Sequence, residues 1–223
     1  MLDTLDLDFF RWDVLAPFVV KGLAYSMWLT VVATLGGIGF GTVLALARML
    51  GKPALERSIA VYVNIMRSVP LVMVLLWFFL IIPFVTGRPV GAEMSAIVTF
   101  IAFEAAYFSE IVRAGIQAIS RGQFNAGFAL GMTYGQNMRF IVLPQAFRNM
   151  LPVLLTQTIV LFQDTSLVYV LSIPDFLGAA SKVAQRDGRL VEMYLFAALV
   201  YFTISCVASL AVRRLQARIA IVR

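Results

Sequence analysis

The chain has no histidine and a single cysteine, Cys206, and only 13% of its 223 residues are charged. Without histidine it lacks the commonest metal ligand and the commonest general base. One cysteine allows no intrachain disulfide, and Cys206 falls in an apolar run where a thiol packs as a small hydrophobe. No nucleophile–base pair or metal-ligand spacing stands out, so no catalytic residue and no metal site are assigned. The phosphate-loop pattern is missing too: it needs Gly-Lys followed by Ser or Thr, and the one such pair, Gly51-Lys52, runs into Pro53. The chain is expected to bind no ATP of its own in that way. At the N-terminus, MLDTLDLDFFRWD carries Asp3, Asp6, Asp8 and Asp13 where a cleaved export signal needs basic residues, so this end is expected to be retained.

What the chain has is apolar surface. Hydrophobic residues make up 61% of it and the mean hydropathy is +0.90, more than a water-soluble domain of this size tolerates. Several apolar runs reach the roughly twenty residues that carry an α-helix across about 30 Å of hydrocarbon. The alternating ten-residue strands of a membrane β-barrel are absent. The expectation is an all-α polytopic membrane protein with five spanning helices, near 22–47, 65–86, 92–114, 150–171 and 190–212. Residues 22–223 then form one membrane domain. Residues 1–21 form a tail whose Phe9, Phe10 and Trp12 suit a lipid–water boundary.

The formal charge of +6 is spread over the ends of the apolar runs and not gathered in a patch, which points to lipid and argues against a nucleic-acid partner. Five spans put the termini on opposite sides. With the N-terminus outside, the inner segments hold eleven basic residues, including Arg48, Arg113, Arg139 and Arg214, against six outside. The positive-inside rule prefers that orientation, with a cytoplasmic C-terminus. Residues 53–64 begin with a proline suited to a first helical turn and mix charge with apolar residues, as a helix entering the membrane obliquely would. Arg67 then falls near the inner boundary, where it either snorkels or meets a substrate.

One segment breaks the apolar pattern: GQFNAGFALGMTYGQNMRFIVLPQA, residues 122–146. Ser120 with Gln123, and Thr133 with Gln136, read as two capping boxes, so two short helices meeting at a bend are expected. Phe124 and Phe128 fall on one face of the first helix. Gly127 and Gly131, four apart, leave a stripe without side chains, and Pro144 is expected to end the second helix. Within this segment Asn125-Ala126-Gly127, three residues, Gly131, nine residues and Ile141-Val142-Leu143-Pro144 resemble the cytoplasmic Glu-Ala-Ala loop of bacterial ABC importer permeases. Asn125 and Gly127 depart from that motif, which has Glu and Ala there.

The resemblance implies the type I ABC importer permease fold in the bacterial inner membrane. It makes residues of about 117–144 a coupling helix docked on a cytosolic ATPase dimer, with Asn125, Ala126, Gly127, Gly131, Ile141, Leu143 and Pro144 as coupling residues. ATP and Mg would be bound by that ATPase, and this chain would carry no cofactor. Arg67-Ser68-Val69-Pro70-Leu71, Phe103-Glu104-Ala105-Ala106-Tyr107 and Gln163-Asp164-Thr165-Ser166-Leu167 resemble the polar amino-acid branch, and the chain as a whole resembles the permeases of glutamate/aspartate importers. A periplasmic amino-acid-binding protein follows as a partner. So does a second permease subunit, identical or related, because five spans are too few to enclose a path.

The fourth span is unusually polar. Gln157 and Asp164 are two turns apart on one face, with Thr165 and Ser166 beside them. A carboxylate in the bilayer is costly unless it meets a polar cavity or partner, so Asp164 either receives a substrate ammonium or joins a helix–helix hydrogen-bond cluster. Glu104, mid-span, pairs with a base, lines the path or holds one of the alternating states. Glu110 and Arg113 are placed to pair on the helix surface. The two buried carboxylates also fit a rival, an ion-gradient-driven secondary transporter or channel. The outer segment from Ser172 to Asp187, with Pro174 and mixed charges, is not expected to span and would face the binding protein.

Overall fold

A computed structural model describes residues 12–219, and within them all regular structure is helical. The expectations for residues 1–11 and for Arg223 lie outside that range. The first helix, α1 (Trp12–Arg48), runs 37 residues and starts ten residues ahead of the expected span, so residues 12–21 are helix continuous with the membrane domain. It packs along α4 (Ala92–Gln117), the most buried of the helices long enough to span. Two glycines of α1 make that approach close. A Cβ on Gly41 would lie 2.8 Å from the Ala105 carbonyl, and one on Gly37 would lie 3.0 Å from the Glu104 Cβ. Small residues four apart are how membrane helices bring their backbones together.

The second apolar run is broken. The helices α2 (Pro53–Ser68) and α3 (Leu71–Thr86) meet at a bend of 108°. The cause is local: Val69 precedes Pro70 and is extended at φ −112 and ψ 137, since the proline ring disfavours the helical region for the residue before it. The break thus falls at residues 69–70, inside the expected span of 65–86. The α2 helix buries Ile59 and Val63 and is tied to α4 by the Tyr62 hydroxyl, which donates to the Ala102 carbonyl at 2.5 Å.

After α4 come two short helices, α5 (Arg121–Ala129) and α6 (Tyr134–Asn137). A π-helical turn (Met138–Val142) leads into α7 (Leu143–Asp164), and a 3-10 segment (Thr165–Leu171) follows. Pro144 does not end a helix as expected. It occupies the first turn of α7, and the widened π turn before it carries the helical path past a residue with no N–H, so Tyr134–Leu171 is one 38-residue rod. The 3-10 segment stops at Ser172, which is left-handed at φ 61.

The outer segment folds as α8 (Phe176–Asp187), a 12-residue helix too short to span. Asp175 caps it, accepting from Leu177 N and Gly178 N, each at 3.0 Å, and Phe176 N donates to Ser26 Oγ at 3.2 Å. Asp175 is fully buried, and that burial pushes its carboxyl up to about 6 against the two backbone amides that favour its charge. The last helix, α9 (Leu190–Ile219), completes the bundle. Among the described residues four helices are long and apolar enough to cross a membrane, and five when the bent α2–α3 pair counts as one span, in accord with the expected five.

Candidate functional site

The break between α2 and α3 opens a cavity of about 450 Å³ against α4 and α7. Its polar wall consists of Arg67 and Ser68 from the break, Tyr107 from α4, and Gln157 and Asp164 from α7. That volume falls in the range of small-molecule sites. Arg67 is held with its guanidinium 5.4 Å from the Tyr107 ring centroid, and it makes no ion pair among the described residues. Arg67 is exposed and lines this cavity. Asp164 is half-buried on the same wall. A cation and an anion with spare hydrogen-bonding capacity, facing one hollow, match the two ends of a zwitterion.

Glu104 is fully buried between α1 and α7 and takes a partner that the sequence had not shown. Gln157 Nε2 donates to its carboxylate at 3.1 and 3.4 Å. The carboxylate is thus partnered by an amide and not by a base, and Gln157 keeps its own carbonyl as an acceptor. Thr165 does not line the cavity: it is buried and donates to the Phe162 carbonyl at 2.7 Å. Ser166 also lies outside the cavity wall. The tightening from α to 3-10 at Thr165 rotates both away from the stripe that carries Gln157 and Asp164.

At the far end of the rod, residues 121–142 form a helical hairpin. The Thr133 capping box is complete: Gln136 N donates to Thr133 Oγ1 at 3.3 Å and Thr133 N donates to Gln136 Oε1 at 2.9 Å. The box expected at Ser120 does not form, because Gln145 Nε2 donates to the Gln123 Oε1 at 3.2 Å and Ser120 makes no side-chain cap. Asn137, fully buried, pins the hairpin by donating to the Phe124 carbonyl at 2.7 Å. Gly127 lies directly against that amide, with no room for a Cβ. Gly131 instead turns the chain at φ +75 with open space around it. The two glycines therefore form no common stripe: one admits an internal partner, the other permits a left-handed turn. Phe124 tucks against the core around Val112 and Ile116, whereas Phe128 is exposed, so they do not share an environment. Asn125 and Ala126 are exposed, as are the apolar Phe128, Leu130 and Tyr134 at the tip. Leu143 and Pro144 face outward where α7 begins, and Ile141 is half-buried. Beside the hairpin, Glu110 joins Arg113 at 2.6 Å, the expected pair, and also Arg48 from α1.

A membrane bundle with a polar-walled open cavity and a pinned, exposed hairpin at one end is the build of a transport permease. Residues 37–221 match the family described as the inner membrane component of binding-protein-dependent transport systems, and the chain belongs to that family of ABC importer permeases. Its members span the membrane and work with an ATPase and a binding protein.

Among its relatives, the glutamate/aspartate import permease protein GltK of Escherichia coli (strain CFT073) is 52% identical over 221 residues, which cover 95% of this chain and 99% of that one. The probable glutamine ABC transporter permease protein GlnP of Bacillus subtilis is 33% identical over 204 residues, 90% of this chain and 93% of that one. A crystal structure of an amino acid ABC transporter with histidines superposes with a TM-score of 0.89 at 28% identity, covering 96% of this chain and 100% of that one. The inward-facing MetNI methionine transporter shares the fold, with a TM-score of 0.77 at 20% identity over 92% of this chain and 97% of that one.

Proposed function

We propose that this permease imports glutamate and aspartate from the periplasm to the cytoplasm by alternating access. The substrate class is supported by the 52% likeness over nearly the whole chain to a glutamate/aspartate import permease. In the cavity, Asp164 and the Gln157 carbonyl accept the α-ammonium, and Arg67 holds a carboxylate. Coupling runs through the hairpin: the exposed tip of α5 and α6 docks on a separate cytosolic ATPase dimer, which binds ATP and Mg. The rod from Tyr134 to Leu171 carries the movement of that foot to the cavity wall.

The N-terminus lies outside and the C-terminus in the cytoplasm, an orientation supported by the excess of basic residues at the hairpin end. The α8 helix, with the exposed Arg186–Asp187 pair, faces the binding protein. A second permease subunit closes the cavity, either a related chain or a second copy. The test is ATP hydrolysis by the purified complex in lipid, assembled with its ATPase and binding protein, during titration with glutamate, aspartate, glutamine, arginine and histidine. Stimulation by glutamate or aspartate alone is expected. Stimulation by another amino acid instead overturns the substrate class. Absence of a co-purifying ATPase, with uptake that collapses with the ion gradient, returns the chain to gradient-driven transport.

A further inference from the structure

The cavity that holds Arg67 and Asp164 has a neighbour. A second hollow of about 400 Å³ lies further along the α4–α7 seam toward the hairpin, walled by Glu110 and Ala114 from α4, by Ala118, which caps it, and by Asn149 and Val153 from α7. Arg67 lines both hollows. They share one stripe on each helix, since Phe103, Tyr107, Ala114 and Ala118 recur at helical spacing along α4 and its cap, and Val153, Gln157, Val160 and Asp164 do so on α7. From Phe103 to Ala118 that stripe covers about 22 Å, at about 1.5 Å per residue. A groove facing lipid would not be walled by Arg67, Glu110 and Asn149, because charge in hydrocarbon is expensive. The second hollow therefore faces water or a partner subunit.

The two hollows differ in charge. The first sets one guanidinium, Arg67, against one carboxylate, Asp164. In the second the only carboxylate of the wall, Glu110, is already bound by the guanidiniums of Arg48 and Arg113, while Arg67 has no ion pair among the described residues. Arg48 and Arg113 stand outside the wall and offset the charge of Glu110, so the charge of Arg67 is left uncompensated in the hollow and the local field is positive. Asn149 adds an amide able to donate to an oxyanion. The hollow holds no free carboxylate for an ammonium group, so it suits a ligand by its negative charge more than by its zwitterionic backbone.

We propose that this second hollow is an inner subsite for the carboxylate of an amino acid with net negative charge, which receives the substrate across Arg67 after it leaves Asp164. The inference rests on the reading of the chain as an acidic amino-acid permease. Arg67 is the shared contact: its long stem allows one carboxylate to stay bound while the ligand moves from one hollow to the next. A neutral amino acid gains nothing from the inner field, so the subsite favours acidic substrates at the release stage.

Opposite charges at one position test this in the full complex with its ATPase and binding protein, reconstituted in lipid vesicles. Asn149→Asp is expected to lower initial aspartate uptake at least fivefold while aspartate-stimulated ATP hydrolysis stays within twofold. Asn149→Lys, which keeps a donor and adds a cation, is expected to retain at least threefold more aspartate uptake than Asn149→Asp. Ala118→Asp and Ala118→Lys repeat the pair from the cap of α4, so that one poorly folding variant does not decide the result. If Asp and Lys slow uptake alike at both positions, or neither does, or all four variants fail to assemble, the inner subsite is overturned. A wild-type complex that moves no acidic amino acid overturns the proposed function itself, a result separate from any of these.

Discussion

Pro70 and Pro144 both interrupt apolar runs, yet one breaks its helix and the other does not. At Pro70 the chain turns through 108°, and the residues at the break, Arg67 and Ser68, line a cavity. At Pro144 a π turn absorbs the missing N–H and the rod continues. The difference lies in where the freed backbone groups go. Non-helical backbone at membrane depth is tolerated only where it lines a cavity or is buried in protein, and the break at Pro70 has a cavity beside it. Pro144, which is exposed and lines neither hollow, follows a widened turn that keeps its hydrogen bonds internal. One proline sits beside a cavity wall, and the other lies in a continuous helical rod.

The strongest way to break this contrast is to detach the foot of the rod. Gly127→Val drives a side chain into the Asn137 amide, splaying α5 from α6. Uptake is expected to fall below about a tenth of wild type, the effect of roughly 1.4 kcal/mol or more on the transport step, with the chain still inserted in the membrane. Uptake in vesicles together with co-purification of the ATPase checks this, and near-normal values of both would show that the hairpin is not held by that contact.

At the broken span, Arg67→Gln removes the cation of the cavity and is expected to slow uptake about tenfold, again roughly 1.4 kcal/mol, with ATPase association unchanged. Pro70→Ala restores an N–H at the bend and allows α2 and α3 to straighten. Uptake is expected to drop a few-fold, read from initial rates, and an unchanged rate would mean that packing and not proline sets the bend. The smallest effect is expected from Pro144→Ala. The π turn is free to relax to α, uptake should stay within twofold of wild type, and the thermal midpoint should not fall by more than the few degrees that about 1 kcal/mol represents.

The five apolar runs and the hairpin were legible because length and period follow directly from the bilayer and from helix geometry. Thr133 with Gln136 was legible for the same local reason. The equivalent pattern at Ser120 was not, since a long-range partner, Gln145, competes for Gln123. Continuity through Pro144 was hidden because a π turn has no sequence mark of its own. The approach of Gly37 and Gly41 to α4 depends on which face of α1 meets which helix, which periodicity alone does not fix. In the candidate site, Gln157 and Asp164 fell on one face as their spacing indicated. Arg67 was found near a boundary but not recognised as a wall of two hollows, because the bend that places it there is a tertiary feature. Thr165 and Ser166 looked like neighbours of Asp164 and are turned aside by the change of helix type.

The break at Pro70 also has a mechanical consequence for the surrounding lipid. The α3 helix has 16 residues, about 24 Å of rise against roughly 30 Å of hydrocarbon, and its far end presents Phe84, 89% exposed, and Val85, 74% exposed. Where α3 alone crosses the hydrocarbon, a segment that short is expected to draw the two leaflets together around it, at an elastic cost that grows with the thickness of the host membrane. Lipid chain length is then expected to act on this permease as a load applied at one helix, which shorter acyl chains relieve.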